Sequence, residues 1–136
     1  RNTIGNNNLY TNFLSYKGSK NKLRYFTFFN FKQGNGFRDN SFFNSKNLFL
    51  KTIYDFDSTK KLSLDLTYFT YLSQQAGGLN DAMFESDPFQ SNRSRNWFNV
   101  DWYLYNLKYE HEITSSNIFS LSLFGLHAVR NALGCL

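Results

Sequence analysis

Four polar side chains gather near the end of a long segment over residues 74–96, which reads QQAGGLNDAMFESDPFQSNRSRN. They are Gln90, Asn92, Arg93 and Arg95. Guanidinium groups bind carboxylates through two parallel hydrogen bonds, and amide side chains add donors and acceptors beside them. The cluster therefore suits a carboxylate-bearing or otherwise anionic ligand. The competing interpretation is an exposed loop with ordinary solvated charges.

The remaining candidates for chemistry do not combine into a reactive site. His111 and His127 have no further His or Cys at metal-ligand spacing. Three acidic residues lack the fixed spacing of a calcium-binding loop, namely Asp81, Glu85 and Asp87. No Ser, His and acid present themselves as a triad. The sequence therefore predicts no enzyme, no metal site and no cofactor.

Composition favours strands over helices. Aromatic residues make up 20% of the 136 residues, and 16 of them are Phe. The mean hydropathy is nonetheless negative, and no run approaches the roughly 18 consecutive apolar residues of a membrane helix. Aromatic richness without long apolar runs is typical of membrane-barrel strands, in which one face meets lipid and the other a wet lumen.

Charge and cysteine content exclude other classes. The net charge is +5, and basic residues surround one turn at Lys17, Lys20, Lys22 and Arg24. Sheets that bind RNA need helices packed behind them, and no segment of useful helical length is present, so a solvated turn is preferred and no nucleic-acid partner is expected. Cys135 is the only cysteine, which excludes an internal disulfide and is interpreted as a bystander thiol.

Six long strands alternate with turns and loops. They are predicted at about residues 7–16, 22–33, 45–56, 61–73, 96–113 and 117–130. Most are long enough for a tilted membrane strand, which needs roughly 9–11 residues. Tight connections are expected at Gly18–Asn21, Asp57–Lys60 and Thr114–Asn117, and long ones at about Gly34–Asn44 and Gln74–Asn96. Short turns at one end and long loops at the other are the pattern of an outer-membrane barrel.

Alternation within the strands predicts which side chains share a face. One group is expected on an outer, lipid side: Leu62, Leu64, Leu66, Phe98, Val100, Trp102, Phe119, Leu121 and Leu123. A second group is expected on the opposite side: Lys51, Asp65, Ser120 and Ser122. The apolar phase changes within the fifth predicted strand, which indicates a bulge near Tyr105–Asn106.

The turn at Asp57 predicts a register. A three-residue turn at Asp57–Thr59 would set Asp55 opposite Lys61 and Lys51 opposite Asp65. Opposite charges directly across neighbouring strands stabilise a sheet by about 0.2–1 kcal/mol for each pair. This register is therefore preferred over one shifted by two residues.

Two runs resemble a known family. QQAGGLNDAMFESDPFQSNRSRNWFNVDW and FSLSLFGLHAVRNALG are similar to TonB-dependent outer-membrane receptors of the ferric-citrate-transporter type, especially those of Bacteroidetes. The resemblance is good from about Gln74 to Gly134 and weaker before it. It implies a 22-stranded barrel with a plug in its lumen, which imports ferric chelates with energy delivered through the TonB complex.

The fold expected is all-β, an antiparallel meander of about six long strands that forms part of a transmembrane β-barrel. Residues 1–136 would be a partial receptor barrel with no plug domain, cut from a longer protein and embedded in outer-membrane lipid. Its ligand would be an iron chelate or a similar nutrient. The alternatives are a soluble β-rich binding module for glycan or nucleic acid, and a truncated remnant without function.

Overall fold

The strands form one antiparallel sheet in which neighbours follow chain order. A computed structural model describes residues 1–134, so Cys135 lies outside the described residues. The seven strands are β1 (Asn2–Gly5), β2 (Leu9–Lys20), β3 (Leu23–Gly34), β4 (Phe43–Asp55), β5 (Lys60–Gln74), β6 (Trp97–Thr114) and β7 (Asn117–Leu133). One short helix, α1 (Asp81–Ser86), lies between β5 and β6. The predicted all-β meander of about six long strands is confirmed: β2 to β7 are the long strands, and the four-residue β1 adds a short seventh.

The extra strand comes from a hairpin at the start of the chain. The predicted first strand at 7–16 begins inside the turn that joins β1 to β2. Asn7 and Asn8 have φ angles of 55° and 56°, and the Leu9 N–H donates to the Asn6 carbonyl at 3.1 Å. Asn adopts the left-handed conformation more readily than most residues, so these two asparagines can reverse the chain within the three-residue connection 6–8.

Connections at the two ends of the sheet differ in length. At one end, called the turn end, the strands are joined by residues 21–22, 56–59 and 115–116. At the other, called the loop end, the connections are the short turn at 6–8, a first long loop at 35–42 and a second long loop at 75–96. The tight turn predicted at Gly18–Asn21 lies instead at residues 21–22, because β2 continues through Lys20. The long loops share one end as predicted.

One face of the sheet, called the leucine face, carries leucines and tyrosines from all the strands that follow β1. Its members include Leu14, Tyr16, Tyr25, Phe29, Leu48, Leu50, Tyr54, Leu62, Leu64, Leu66, Tyr68, Tyr103, Tyr105, Leu107, Tyr109, Leu121 and Leu123. The opposite face, called the charged face, carries Lys17, Arg24, Lys51, Asp55, Lys61, Asp65, Lys108 and Glu110 near the turn end. Side chains alternate strictly because neighbouring residues of a strand point to opposite sides.

The facing prediction is wrong for the first half of β6. Trp102 is paired with Phe69 and Val100 with Tyr71, so both lie on the charged face and not beside Leu64. The predicted bulge at Tyr105–Asn106 is also absent, because pairing with β7 is continuous there and the irregularity falls between Glu112 and Thr114. In the first half of β6 the apolar residues Val100 and Trp102 lie on the charged face, and in the second half Leu107 and Tyr109 lie on the leucine face. This switch explains why the apolar alternation changes within the strand.

Charged side chains on the charged face form a ladder across the strands. The predicted register is confirmed, with Asp55 opposite Lys61 and Lys51 opposite Asp65. The Lys51 ammonium lies 3.0 Å from the Asp65 carboxylate. Asp55, however, pairs with Arg24 on β3 through two hydrogen bonds of 3.0 and 3.1 Å. Each exposed pair stabilises the fold by about 0.2–1 kcal/mol, so the ladder fixes register more than it adds stability.

The sheet has no second layer. Within residues 1–134, Val100 is the one buried apolar side chain and Ser73 the one buried polar side chain. Leu121 and Leu123 remain 61% and 65% exposed. No helix in this described part is long and apolar enough to cross a membrane. A sheet with almost no interior needs cover on its faces from material outside it.

The turn between β4 and β5 is organised by one carboxylate. An oxygen of Asp57 accepts hydrogen bonds from the Thr59 N–H at 2.8 Å, the Thr59 hydroxyl at 2.7 Å and the Lys60 N–H at 2.9 Å. The bonds from Thr59, followed by the bond and charge of Lys60, lower the pKa of Asp57 to about 2. The ionised side chain therefore supports the turn that sets the register of this hairpin.

We expect the contribution of Asp57 to stability to vanish in acid. Its folded pKa lies below the usual 3.8, so its stabilisation is present above pH 3.8 and is lost as the pH falls through about 2. Asp57→Asn should therefore be less stable than the parent at neutral pH, and the difference should shrink from pH 4 to pH 2. Urea titrations of the folded protein at several pH values measure it.

Ser58→Ala is the matched control in the same turn and should behave like the parent at every pH. A difference between Asp57→Asn and the parent that stays constant down to pH 2 would contradict this account.

Candidate functional site

The two long loops touch each other at the loop end. The Asp39 N–H of the first long loop donates to the Phe89 carbonyl of the second at 2.9 Å. At the base of the loops, the Gln74 N–H donates to the Phe42 carbonyl at 2.8 Å, and the Gln74 side chain accepts from the Phe42 N–H at 3.3 Å. Residues 32 and 50 positions apart in sequence are therefore joined into one surface.

Arg38 makes the most extensive contact between the loops. Its Nε and Nη2 donate to the Gln90 carbonyl at 3.1 and 2.9 Å, and its Nη1 donates to the Gly77 carbonyl at 2.9 Å. A longer bond of 3.5 Å reaches the Ala76 carbonyl. Sequence reasoning missed Arg38, because nothing in the spacing of residues 34–44 marks an arginine that binds carbonyls on another loop.

The first long loop is folded around the hydroxyl of Ser41. This oxygen accepts from the Arg38 N–H at 3.2 Å and donates to the Asn35 carbonyl at 2.8 Å. Gly36 has a φ of +69°, and a Cβ added there would lie 2.4 Å from the Ser41 hydroxyl. Asn40 also adopts a positive φ, of 52°. The backbone that presents Arg38 is therefore held by local hydrogen bonds.

The second long loop is closed at its base by contacts between its two ends. The Gln75 N–H donates to the Asn96 carbonyl at 2.9 Å, and the Asn92 N–H donates to the Ala76 carbonyl at 3.2 Å. The Asn92 side-chain amide donates to the Gly78 carbonyl at 2.6 Å. These bonds bring residues 75–78 beside residues 91–96 and leave the middle of the loop as a protrusion.

The protrusion contains the short helix α1 (Asp81–Ser86). Asn80 caps it by accepting from the Met83 N–H at 2.9 Å. The Gln90 side-chain amide donates to the Met83 carbonyl at 2.6 Å and to the Ser86 hydroxyl at 3.1 Å. The Gln90 side chain therefore holds the helix against the returning half of the second long loop.

The four predicted site residues lie together on the returning half of the second long loop. The amides of Gln90 and Asn92 hydrogen bond within the loop and shape its backbone. Arg93 is half-buried and packs against Gly77, where an added Cβ would lie 2.6 Å from its Cγ. Arg95 is exposed. A role in ligand binding stays a prediction for all four, of which the two arginines are the charged members.

The loops also present three phenylalanines that sequence reasoning did not single out. Phe37, Phe84 and Phe89 are 69%, 60% and 59% exposed. Among residues 1–134, no three His, Cys, Asp or Glu side chains come close enough to hold a metal ion. The loop end therefore offers cationic, amide and aromatic groups, which are side chains that can bind a ligand.

Comparison with known proteins identifies the class of fold. No protein-family model and no curated protein matches the chain. Among solved structures, its meander matches a segment of a β-barrel. That barrel is the ferric citrate transporter FecA in its unliganded form, with a TM-score of 0.86 and 22% identity over 96% of this chain. The chain covers 20% of the length of that transporter, so the likeness establishes the fold of a barrel segment.

We expect Gly77→Ala to loosen the base of the second long loop. Gly77 has a φ of +77°, and a Cβ there would lie 1.9 Å from the Asn92 side-chain oxygen. A left-handed residue other than glycine costs about 1–2 kcal/mol, which is roughly a 5- to 30-fold change in an opening equilibrium. Hydrogen exchange of the Asn92 amide in the folded protein measures it.

The neighbouring Gly78 is the matched control, because nothing lies within 4 Å of a Cβ added there. Gly78→Ala should leave the exchange rate of the Asn92 amide within about twofold of the parent, as expected of a surface change within about 0.5 kcal/mol. Equal exchange in the two variants would show that the base does not depend on the conformation of Gly77.

Proposed function

We propose that this chain is part of the barrel wall of an outer-membrane TonB-dependent receptor that imports a ferric chelate. In this proposal the leucine face meets lipid, the charged face meets the lumen and the loop end lies outside the cell. The whole receptor would bind the chelate and the TonB complex, and this segment would contribute wall and binding surface. No nucleic-acid partner and no catalytic role are proposed.

The observation that carries the proposal is the division of the sheet into two faces with almost no interior. Strands β2 to β7 are 12 to 18 residues long, which suffices for a tilted membrane crossing. In the half of the sheet nearer the turn end, leucine and tyrosine lie on one face and ion pairs on the other, which suits lipid on one side and a wet lumen on the other. A soluble module would need a buried core, and Val100 is the one buried apolar residue described.

The position of the loops supports the proposed orientation. Both long loops leave the same end of the sheet, and outer-membrane barrels place their longer loops outside the cell and their short turns in the periplasm. The likeness to a ferric citrate transporter segment supports the same arrangement. The loops would then lie at the mouth of the barrel, where a nutrient arrives.

The chemistry of the second long loop supports an anionic chelate as the ligand. Arg93 and Arg95 lie two residues apart on its returning half. Guanidinium groups pair with carboxylates bidentately, and positive charge at the mouth of a cleft raises the local concentration of an anion. Ferric citrate carries carboxylates and a negative charge, so it is the probe of choice.

Face assignment is tested by arginine substitutions at neighbouring positions. Leu64 lies on the leucine face and Ser63 on the charged face, so Leu64→Arg should hinder membrane assembly and Ser63→Arg should not. An arginine on the lipid side costs about 2–4 kcal/mol near the midplane. Heat-modified gel mobility of the intact receptor reports the assembled fraction, and equal tolerance of both substitutions would contradict the assignment.

Ligand binding is tested by replacing both arginines. Arg93→Ala with Arg95→Ala should weaken equilibrium binding of ferric citrate by the intact receptor at least about tenfold, because a hydrogen bond to a charged group contributes about 1.5–3 kcal/mol. Heat-modified mobility should stay normal. Lys17→Ala with Lys20→Ala removes the same charge near the turn end and should leave binding unchanged. Unchanged binding in the arginine variant would show that these residues are not ligand contacts.

A further inference from the structure

Arg38 is placed to act on both long loops at once. We propose that its guanidinium locks the first and second long loops into one rigid unit and thereby positions Arg93 and Arg95. The locking follows from contacts within this chain alone. The positioning of ligand-facing arginines rests on the proposed function.

The acceptors of Arg38 lie on both ends of the second long loop. Gly77 belongs to the outgoing end and Gln90 to the returning end, and both carbonyls receive bonds of 2.9 Å from the same guanidinium. The group therefore bridges the base of the second loop as well as joining it to the first. Removing the guanidinium would break its hydrogen bonds to the carbonyls of Gln90, Gly77 and Ala76 at the same time.

The first long loop gives Arg38 a fixed starting point. The Ser41 hydroxyl accepts a hydrogen bond from the Arg38 backbone N–H at 3.2 Å. The adjacent Asp39 N–H makes its own bond to the Phe89 carbonyl, beside the acceptor Gln90. The Arg38 side chain and the Asp39 backbone therefore bind adjacent residues of the second long loop, Gln90 and Phe89.

A guanidinium suits this position better than an ammonium. Its planar fork carries five N–H groups in fixed directions, whereas lysine offers a point charge at the end of a flexible stem. Arg38 uses three nitrogens on three carbonyls, a spread that one ammonium nitrogen does not reproduce. Arg38→Lys should therefore keep the charge and lose the lock.

The lock acts on the predicted binding residues through the backbone. Gln90 begins the returning stretch that carries Arg93 and Arg95 three and five residues later. Its carbonyl takes two N–H groups from Arg38, which fixes where that stretch starts. A surface ordered before the ligand arrives does not lose freedom on binding, so affinity improves.

The experiment measures the loops directly and binding separately. In the intact receptor with Cys135→Ser, spin labels are placed through Phe37→Cys on the first loop and Glu85→Cys on the second, both exposed positions. The label–label distance distribution should be narrow with Arg38 and broad with Arg38→Ala and Arg38→Lys. Lys46→Ala removes one exposed charge from β4, has no described contact with the loops, and should leave the distribution narrow.

Ferric citrate affinity of the same receptor without labels gives the second measurement. Arg38→Lys and Arg38→Ala should each weaken it about tenfold, with normal heat-modified mobility, and Lys46→Ala should stay within twofold. Should Arg38→Ala fail to assemble, Arg38→Lys decides the question, because it retains the charge and most of the volume.

The outcomes separate the lock from its consequence and from the ligand. A narrow distribution in Arg38→Lys would overturn the lock. A broad distribution with unchanged affinity, where the double arginine variant does lose affinity, would overturn the positioning role. If neither the double arginine variant nor the Arg38 variants lose affinity for ferric citrate, that result would count against the proposed ligand. The label–label distances would still show whether Arg38 holds the two loops together.

Discussion

The hydrogen-bonded ladder between consecutive strands is the constraint on which the rest of this molecule depends. Each strand meets its neighbours in chain order, and within residues 1–134 no second layer packs on the sheet. The backbone groups of β3 to β6 are therefore paired on both sides within the sheet, while the side chains of both faces depend on what surrounds them. Period-two alternation then turns one sequence into two surfaces of different chemistry, and the ion pairs of Lys51 and Arg24 help to hold the register that keeps those surfaces apart.

Beyond the ladder, order is maintained by side chains that bind backbone carbonyls. At the turn end, by contrast, the Asp57 carboxylate accepts hydrogen bonds from backbone N–H groups. At the loop end, Arg38, Ser41 and Asn92 replace the regular bonds that the chain loses when it leaves the sheet. Long loops without such contacts would carry a large conformational entropy. The same polar residues therefore explain why two excursions from a sheet keep a defined shape.

Much of the fold was predictable from sequence because strand length, alternation and turn chemistry are local. The β1–β2 hairpin was missed although the signal was present, since Asn7 and Asn8 are residues that suit a left-handed turn. The facing of Trp102 was mispredicted because apolar residues occupy both faces of β6 in turn. Arg38 was not predictable, because its acceptors lie 38 to 52 residues away and are brought close only by the folded sheet. The partners of the Gln90 amide within the loop were equally unpredictable, because they come close only in the folded loop.

The chain-order meander also constrains how such a wall can change in evolution. Successive strands run in opposite directions, so each added strand exchanges the ends at which all later connections emerge. A duplication or deletion of one strand would carry every following loop from one end of the sheet to the other. Gain or loss of a whole hairpin changes the strand number by two, so every later loop stays at its original end. This accords with the even strand numbers of bacterial barrels. Loop length, by contrast, can vary freely at either end, provided that a residue such as Arg38 still finds the carbonyls it binds.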